Sequence, residues 1–157
     1  MKTKLLKKEE YSLGGLLFLP ADFKDAPLII YLHGAGERGQ NEEHLYKHGI
    51  PKLIREGREF PAIILSPQCP GDFVWNNVVR ELKEMIDKVV EQFEVKPDRI
   101  SITGSSMGGF GTFEMALTYT AFFVLCRDTK KAKSLLKILL YIINFTKINS
   151  KTWEIRS

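Results

Sequence analysis

Arg99-Ile-Ser-Ile-Thr-Gly-Ser-Ser-Met-Gly-Gly109 is the stretch whose reading decides the fold. Arg99 to Thr103 reads as a strand, and the Gly-rich corner after it opens a helix near Met107. Within that corner Gly104-Ser105-Ser106-Met107-Gly108 spells G-x-S-x-G, with Ser106 at its centre. A serine at a sharp strand-to-helix turn sits in strained backbone and presents its Oγ above the sheet. Gly104 and Gly108, two residues before and after it, let helix and strand approach where a Cβ would clash. The Met107 N–H, at the helix N-terminus, then points at a developing oxyanion. The spacing predicts a nucleophile corner with Ser106 as the nucleophile. A plain Ser/Gly turn is the bland alternative, and the strand before it and helix after it argue against that.

Upstream of the corner, strands and helices alternate. Tyr11 to Leu19 reads as a strand pair bent at Gly14-Gly15. Pro27-Leu-Ile-Ile-Tyr-Leu32 and Ala62-Ile-Ile-Leu-Ser66 are continuous apolar runs, the pattern of strands covered on both faces. His44 to Glu56 looks helical but broken by Gly49 and Pro51. Asn76 to Phe93 is the clearest helix, with Val78, Val79, Leu82, Met85, Ile86, Val89, Val90 and Phe93 at helical spacing and Asn76 placed to cap it. This alternation predicts βαβ crossovers and a mostly parallel sheet with flanking helices.

After the first buried strand comes His33-Gly34-Ala35-Gly36, the place for a loop that supplies a second oxyanion donor, with the Ala35 N–H as the candidate. His33, Gly34 and Gly36 would support that loop, His33 by hydrogen bonding. Gly34-Ala-Gly36-Glu-Arg-Gly39 also matches G-x-G-x-x-G, but no helix opens inside it and the next strand ends Ser66-Pro67-Gln68 without an acid, so a dinucleotide site is not expected. His44 and His48 stand four apart with no third ligand at metal spacing, and no metal is expected. Cys69 and Cys126 form neither a metal nor a redox spacing and read as free thiols in a reducing cytoplasm.

The blocks Tyr31 to Gly39, Ser66-Pro-Gln-Cys-Pro70 and Pro97 to Thr112 resemble α/β-hydrolase esterases. The nearest branch is the esterases and predicted peptidases related to dienelactone hydrolase and prolyl-oligopeptidase catalytic domains, beside the phospholipase/carboxylesterase group. The likeness runs from about Tyr11 to Tyr119. It implies the α/β-hydrolase fold and a serine hydrolase cleaving carboxylic esters, or a peptide or amide, with Ser106 as nucleophile, Met107 and Ala35 amides as oxyanion hole, and no cofactor.

In that fold the triad order is Ser, then Asp or Glu, then His. All three histidines, His33, His44 and His48, precede Ser106, and the acids beyond it are Glu114, Asp128 and Glu154. No triad acid or His is found in the family's manner. A non-catalytic remnant or ligand-binding module is therefore the alternative expectation to an active esterase.

The net charge of +4 suggests nucleic acid or an anionic membrane, but its distribution removes the first. Residues 1–120 carry 15 Lys/Arg against 17 Asp/Glu, whereas 121–157 carry 8 against 2. All twelve Gly lie at or before Gly111 and all seven Pro at or before Pro97, so the chain changes character where the resemblance fades. The expectation is that 1–120 form the N-terminal part of the hydrolase domain, incomplete after the helix that follows the corner, and that 121–157 are an atypical Lys/Ile/Asn-rich tail from truncation or a shifted reading frame. Lys130, Lys131 and Lys133 before the apolar run Leu135 to Phe145 leave a peripheral membrane role as the least favoured reading. That run is too short to span a bilayer, and no signal peptide is apparent. A sheet lacking its last strands is expected to leave an edge open beside Ile100 to Thr103, open to self-association.

Overall fold

The computed structural model describes residues 1–119. Five strands, β1 (Lys2–Leu6), β2 (Gly15–Leu19), β3 (Leu28–Leu32), β4 (Ile63–Pro67) and β5 (Ile100–Gly104), form one sheet in the order β1-β2-β4-β3-β5. Four helices flank it: α1 (Lys8–Tyr11), α2 (Gly49–Arg55), α3 (Val79–Gln92) and α4 (Met107–Thr118).

The sheet is mixed rather than mostly parallel. β3 pairs in parallel with β4 and with β5, but β2 is antiparallel to both β1 and β4. Chain length dictates the β1–β2 pairing: parallel neighbours need a crossover of a dozen or more residues, and only Lys7 to Gly14 separate the two strands. The expected strand pair within Tyr11 to Leu19 is corrected by the same feature. Its first strand is Lys2–Leu6, and Tyr11 closes the short helix α1 instead. On the far side β5 has no partner strand beyond β3 among the described residues, and Ser101 on it is exposed.

Alternation in the strands divides the core in two. Leu17, Leu28, Ile30, Leu32, Ile63 and Leu65 face one side, where Leu82, Met85, Ile86 and Val89 of α3 cover them. Leu16, Phe18 and Ile64 face the other, under Leu45, Tyr46, Ile50 and Ile54 from the segment around α2. Both faces of β3 and β4 are thus buried, as their continuous apolar runs require.

Two helix boundaries depart from expectation. The segment His44 to Glu56 is a 3₁₀ turn, Glu42–Lys47, followed by α2, and Pro51 lies inside α2's first turn, where its missing N–H costs nothing. The break is at His48, so His44 and His48 do not share one helix face. Likewise Asn76 does not cap α3. Trp75–Asn77 forms a 3₁₀ turn, the Asn77 Oδ1 accepts the Val74 N–H at 3.1 Å, and α3 begins at Val79. The turn carries the fully buried Trp75 ring to where its Nε1 donates to the His33 carbonyl at 2.9 Å.

No helix among the described residues is long and apolar enough to cross a membrane. The tail calls, including Cys126, Asp128 and the run Leu135 to Phe145, lie outside the described residues.

Ile86 is fully buried at the centre of the α3 stripe. Ile86→Ala is expected to lower the unfolding free energy by about 2–5 kcal/mol, read from the shift of a urea denaturation midpoint.

Candidate active site

β5 ends at Gly104, and the chain turns through Ser105 and Ser106 into α4. Ser106 has φ 51° and ψ −115°, a conformation that a residue with a Cβ adopts only under constraint. Tight contact supplies the constraint. A Cβ on Gly104 would overlap the Gly108 carbonyl, and one on Gly108 would overlap the Leu32 carbonyl. The first turn of α4 is therefore jammed against the ends of both β5 and β3. The Ser105 N–H donates to the Leu32 carbonyl at 3.0 Å, and Gly108 N–H to the Ser105 carbonyl at 2.8 Å. Ser106 itself is exposed, above a buried Met107, Gly108 and Gly109.

The loop after β3 lies beside this corner. The position a Gly34 Cβ would take is 3.7 Å from the Ser106 Cβ and 3.6 Å from the Ser105 carbonyl oxygen. Ala35 begins a 3₁₀ turn, Ala35–Glu37, as Met107 begins α4. The first N–H of a helical turn has no acceptor within that turn. Both candidate donors thus hold that position, Ala35 exposed and Met107 buried. Gly36 has nothing within 4 Å of its absent Cβ, so unlike Gly104 and Gly108 it is not required by close packing.

His33 is 1% exposed, and its ring is fully occupied. Its Nε2 accepts the Cys69 N–H at 3.0 Å, which leaves the proton on Nδ1, 2.6 Å from the Gly34 carbonyl. The Trp75 ring packs edge-on at 5.0 Å. Burial holds the imidazole neutral, its pKa lowered to about 4, with the Gly34 carbonyl opposing and Arg38 assisting the shift. His33 thus ties the loop down and is not placed to take a proton from Ser106.

The same loop is held again by Gln68 and Cys69 of the block Ser66 to Pro70. Gly39 N–H donates to the Cys69 carbonyl at 3.0 Å. The buried Gln68 amide donates to the carbonyls of Glu37 and Asn41 at 2.9 and 2.8 Å. Burial pushes the Cys69 thiol up to about 11, keeping it protonated and inert. Glu37, read only as part of the Gly-rich block, is 4% exposed. Glu114, an acid beyond Ser106, lies on α4 and accepts from Asn76 Nδ2 at 3.0 Å. No group of His, Cys, Asp and Glu among the described residues forms a metal site.

A cleft of 460 Å³ is lined by Leu6, Gly14, Gly39, Gln68 and Pro70 among others, and Ser106 does not line it. The chemistry of the corner, rather than the size of a cavity, marks the candidate site.

No family model matches the chain. No curated protein matches it either. Among solved structures, acetyl xylan esterase from Aspergillus awamori is similar at a TM-score of 0.57 and 15% identity, covering 76% of this chain. The match takes in 48% of the esterase, so the chain spans about half its length. At that identity the likeness speaks to the fold: a five-stranded mixed α/β sheet with flanking helices.

Two outcomes follow from the packing and the buried imidazole. Gly108→Ala is expected to abolish folding or cost several kcal/mol, whereas Gly36→Ala stays within about 0.5 kcal/mol, both read by thermal and urea unfolding. His33 has a folded pKa below its unfolded value, so the unfolded chain takes up the proton first. Its contribution is complete above about pH 6.5 and falls away as the pH drops toward about 4, a loss of order 3 kcal/mol. A urea midpoint series across that range should show the decline, and His33→Asn should flatten it.

Proposed function

We propose that the protein is a serine hydrolase of the carboxylesterase kind, of the α/β-hydrolase fold and the dienelactone hydrolase and prolyl-oligopeptidase branch, that forms an acyl-enzyme on Ser106. The observation that carries this reading is the left-handed φ of an exposed serine at a strand-to-helix corner between two glycines packed against backbone. The esterase name of the solved neighbour supports the same general kind.

In this reading the Ser106 Oγ attacks the carbonyl carbon of a small carboxylic ester, or of a peptide or amide. The negative charge developing on the carbonyl oxygen is taken by the N–H groups of Met107 and Ala35. The Oγ–C bond forms, the C–O bond of the ester or the C–N bond of the amide breaks, and the alcohol or amine departs with the proton that Ser106 loses. Water then releases the acid. No step calls on a cofactor.

A second reading, a module that binds such esters without turning them over, draws on the occupied imidazole. His33 is spent on the loop, and no histidine follows Ser106 in the sequence. A fluorophosphonate probe separates the two. The expected result is a covalent adduct mapped to Ser106 by peptide mass spectrometry and lost in Ser106→Ala. Absence of the adduct, or equal hydrolysis of an activated aryl ester by both proteins, rejects the hydrolase and leaves the binding module.

A further inference from the structure

Arg38 holds its guanidinium in one orientation beside the corner. Its Nε donates to the Ala35 carbonyl at 3.1 Å and its Nη1 to the Phe73 carbonyl at 3.3 Å. Two backbone acceptors on separate segments thus fix the plane of the fork. A guanidinium carries five N–H donors, and these bonds use two of them. The long side chain has lost its freedom before any ligand arrives, which removes much of the entropic cost of gripping an anion.

The cation has no anion of its own. Glu37 and Asp72 adjoin the two segments it bridges, yet among the described residues no carboxylate pairs with it. Its charge is felt nearby: beyond the effect of burial, it adds to the lowering of His33 and opposes the rise of Cys69. Space is open around it. Arg38 is half-buried, while Ala35, Gly36 and Phe73 are exposed. At Gly36 and Gly39, on either side of it along the chain, no atom comes within 4 Å of where a Cβ would stand. The bond to the Ala35 carbonyl also sets its distance from the corner. Nε is within roughly 7 Å of the Ala35 N–H, the candidate oxyanion donor.

We propose that Arg38 determines specificity by receiving a carboxylate carried by the ester, so that the site prefers esters with a free acid group a short chain of atoms from the scissile carbonyl. The proposal rests on the Ser106 reading for where that carbonyl sits. A carbonyl oxygen bonded to the Ala35 N–H lies within reach of the guanidinium through a chain of two or three atoms ending in a carboxylate. The fork matches a carboxylate with parallel N–H···O bonds, a match that an alkyl or capped ester group in the same place does not offer. The acid group stands on the acyl side in a half-ester of a dicarboxylic acid, and on the alcohol side in an ester of a hydroxy acid.

The test uses the full chain carrying Ser106→Ala and titration calorimetry near pH 7 at low salt, where the acids are ionised. Monomethyl succinate is compared with dimethyl succinate, and acetoxyacetate with its methyl ester, so each pair differs only by a methyl cap on the acid. In at least one pair the acid is expected to bind about tenfold or more tighter than its capped form, and the preference should shrink in about 0.5 M NaCl. The pair that shows it assigns the acid group to the acyl or the alcohol side. Adding Arg38→Gln should bring that pair within about twofold, while Arg38→Lys, which keeps the charge and loses the fork, retains part of the difference. A loop tether and nothing more would weaken acid and capped ester together and leave their ratio unchanged. If Arg38→Gln lowers the urea midpoint, the Arg38→Lys variant and the salt dependence carry the comparison. Equal affinities within both pairs, a preference that survives Arg38→Gln, or no binding of any of the four overturns the proposal. This readout needs no nucleophile, so it fails or succeeds independently of the fluorophosphonate adduct.

Discussion

Backbone jammed against backbone sets the rest of this molecule. At Gly104 and Gly108 the first turn of α4 meets β5 and β3 with no room for a single carbon. That contact forces Ser106 into a left-handed φ, and it brings Ser105 close enough to bond the Leu32 carbonyl. The strained residue does not hold itself. The two-sided core behind it, with α3 on one face and the segment around α2 on the other, keeps β3 and β5 in register beneath it.

A second constraint works sideways. His33 gathers three separate pieces of chain: its own loop through the Gly34 carbonyl, the segment after β4 through the Cys69 N–H, and the turn before α3 through Trp75. Because each ring nitrogen is already bonded, the imidazole behaves as a structural link with one fixed tautomer. The same burial that makes the link firm removes it from acid–base work. A histidine beside a serine corner invites a catalytic role, and hydrogen-bond accounting assigns it a different one.

Much of this was legible in the sequence because it rests on local rules. The apolar runs at β3 and β4, the stripe Leu82, Met85, Ile86 and Val89, and the glycine spacing around Ser106 each follow from periodicity or from the room a backbone needs. What was hidden depends on distant partners. β1 is a charged, exposed strand that gains its place by pairing with β2, and nothing in Lys2 to Leu6 alone announces it. Asn76 looks like a cap until the burial of Trp75 pulls the turn into 3₁₀ form. The burial of Glu37 in a loop of glycines and charges has no sequence signature, since that loop is fixed by a partner as distant as Gln68, which donates to the Glu37 carbonyl.

The loop from His33 to Asn41 and the segment from Gln68 to Cys69 exchange four hydrogen bonds, so neither moves without the other. Cys69 stands at the centre of that seam with a protonated, enclosed thiol. Its side chain is therefore a clock for the seam. An alkylating reagent reaches the buried Sγ only while the chain around it opens, and the rate at which that thiol is consumed counts those openings. A substrate that presses the loop closed would slow the clock without touching the cysteine.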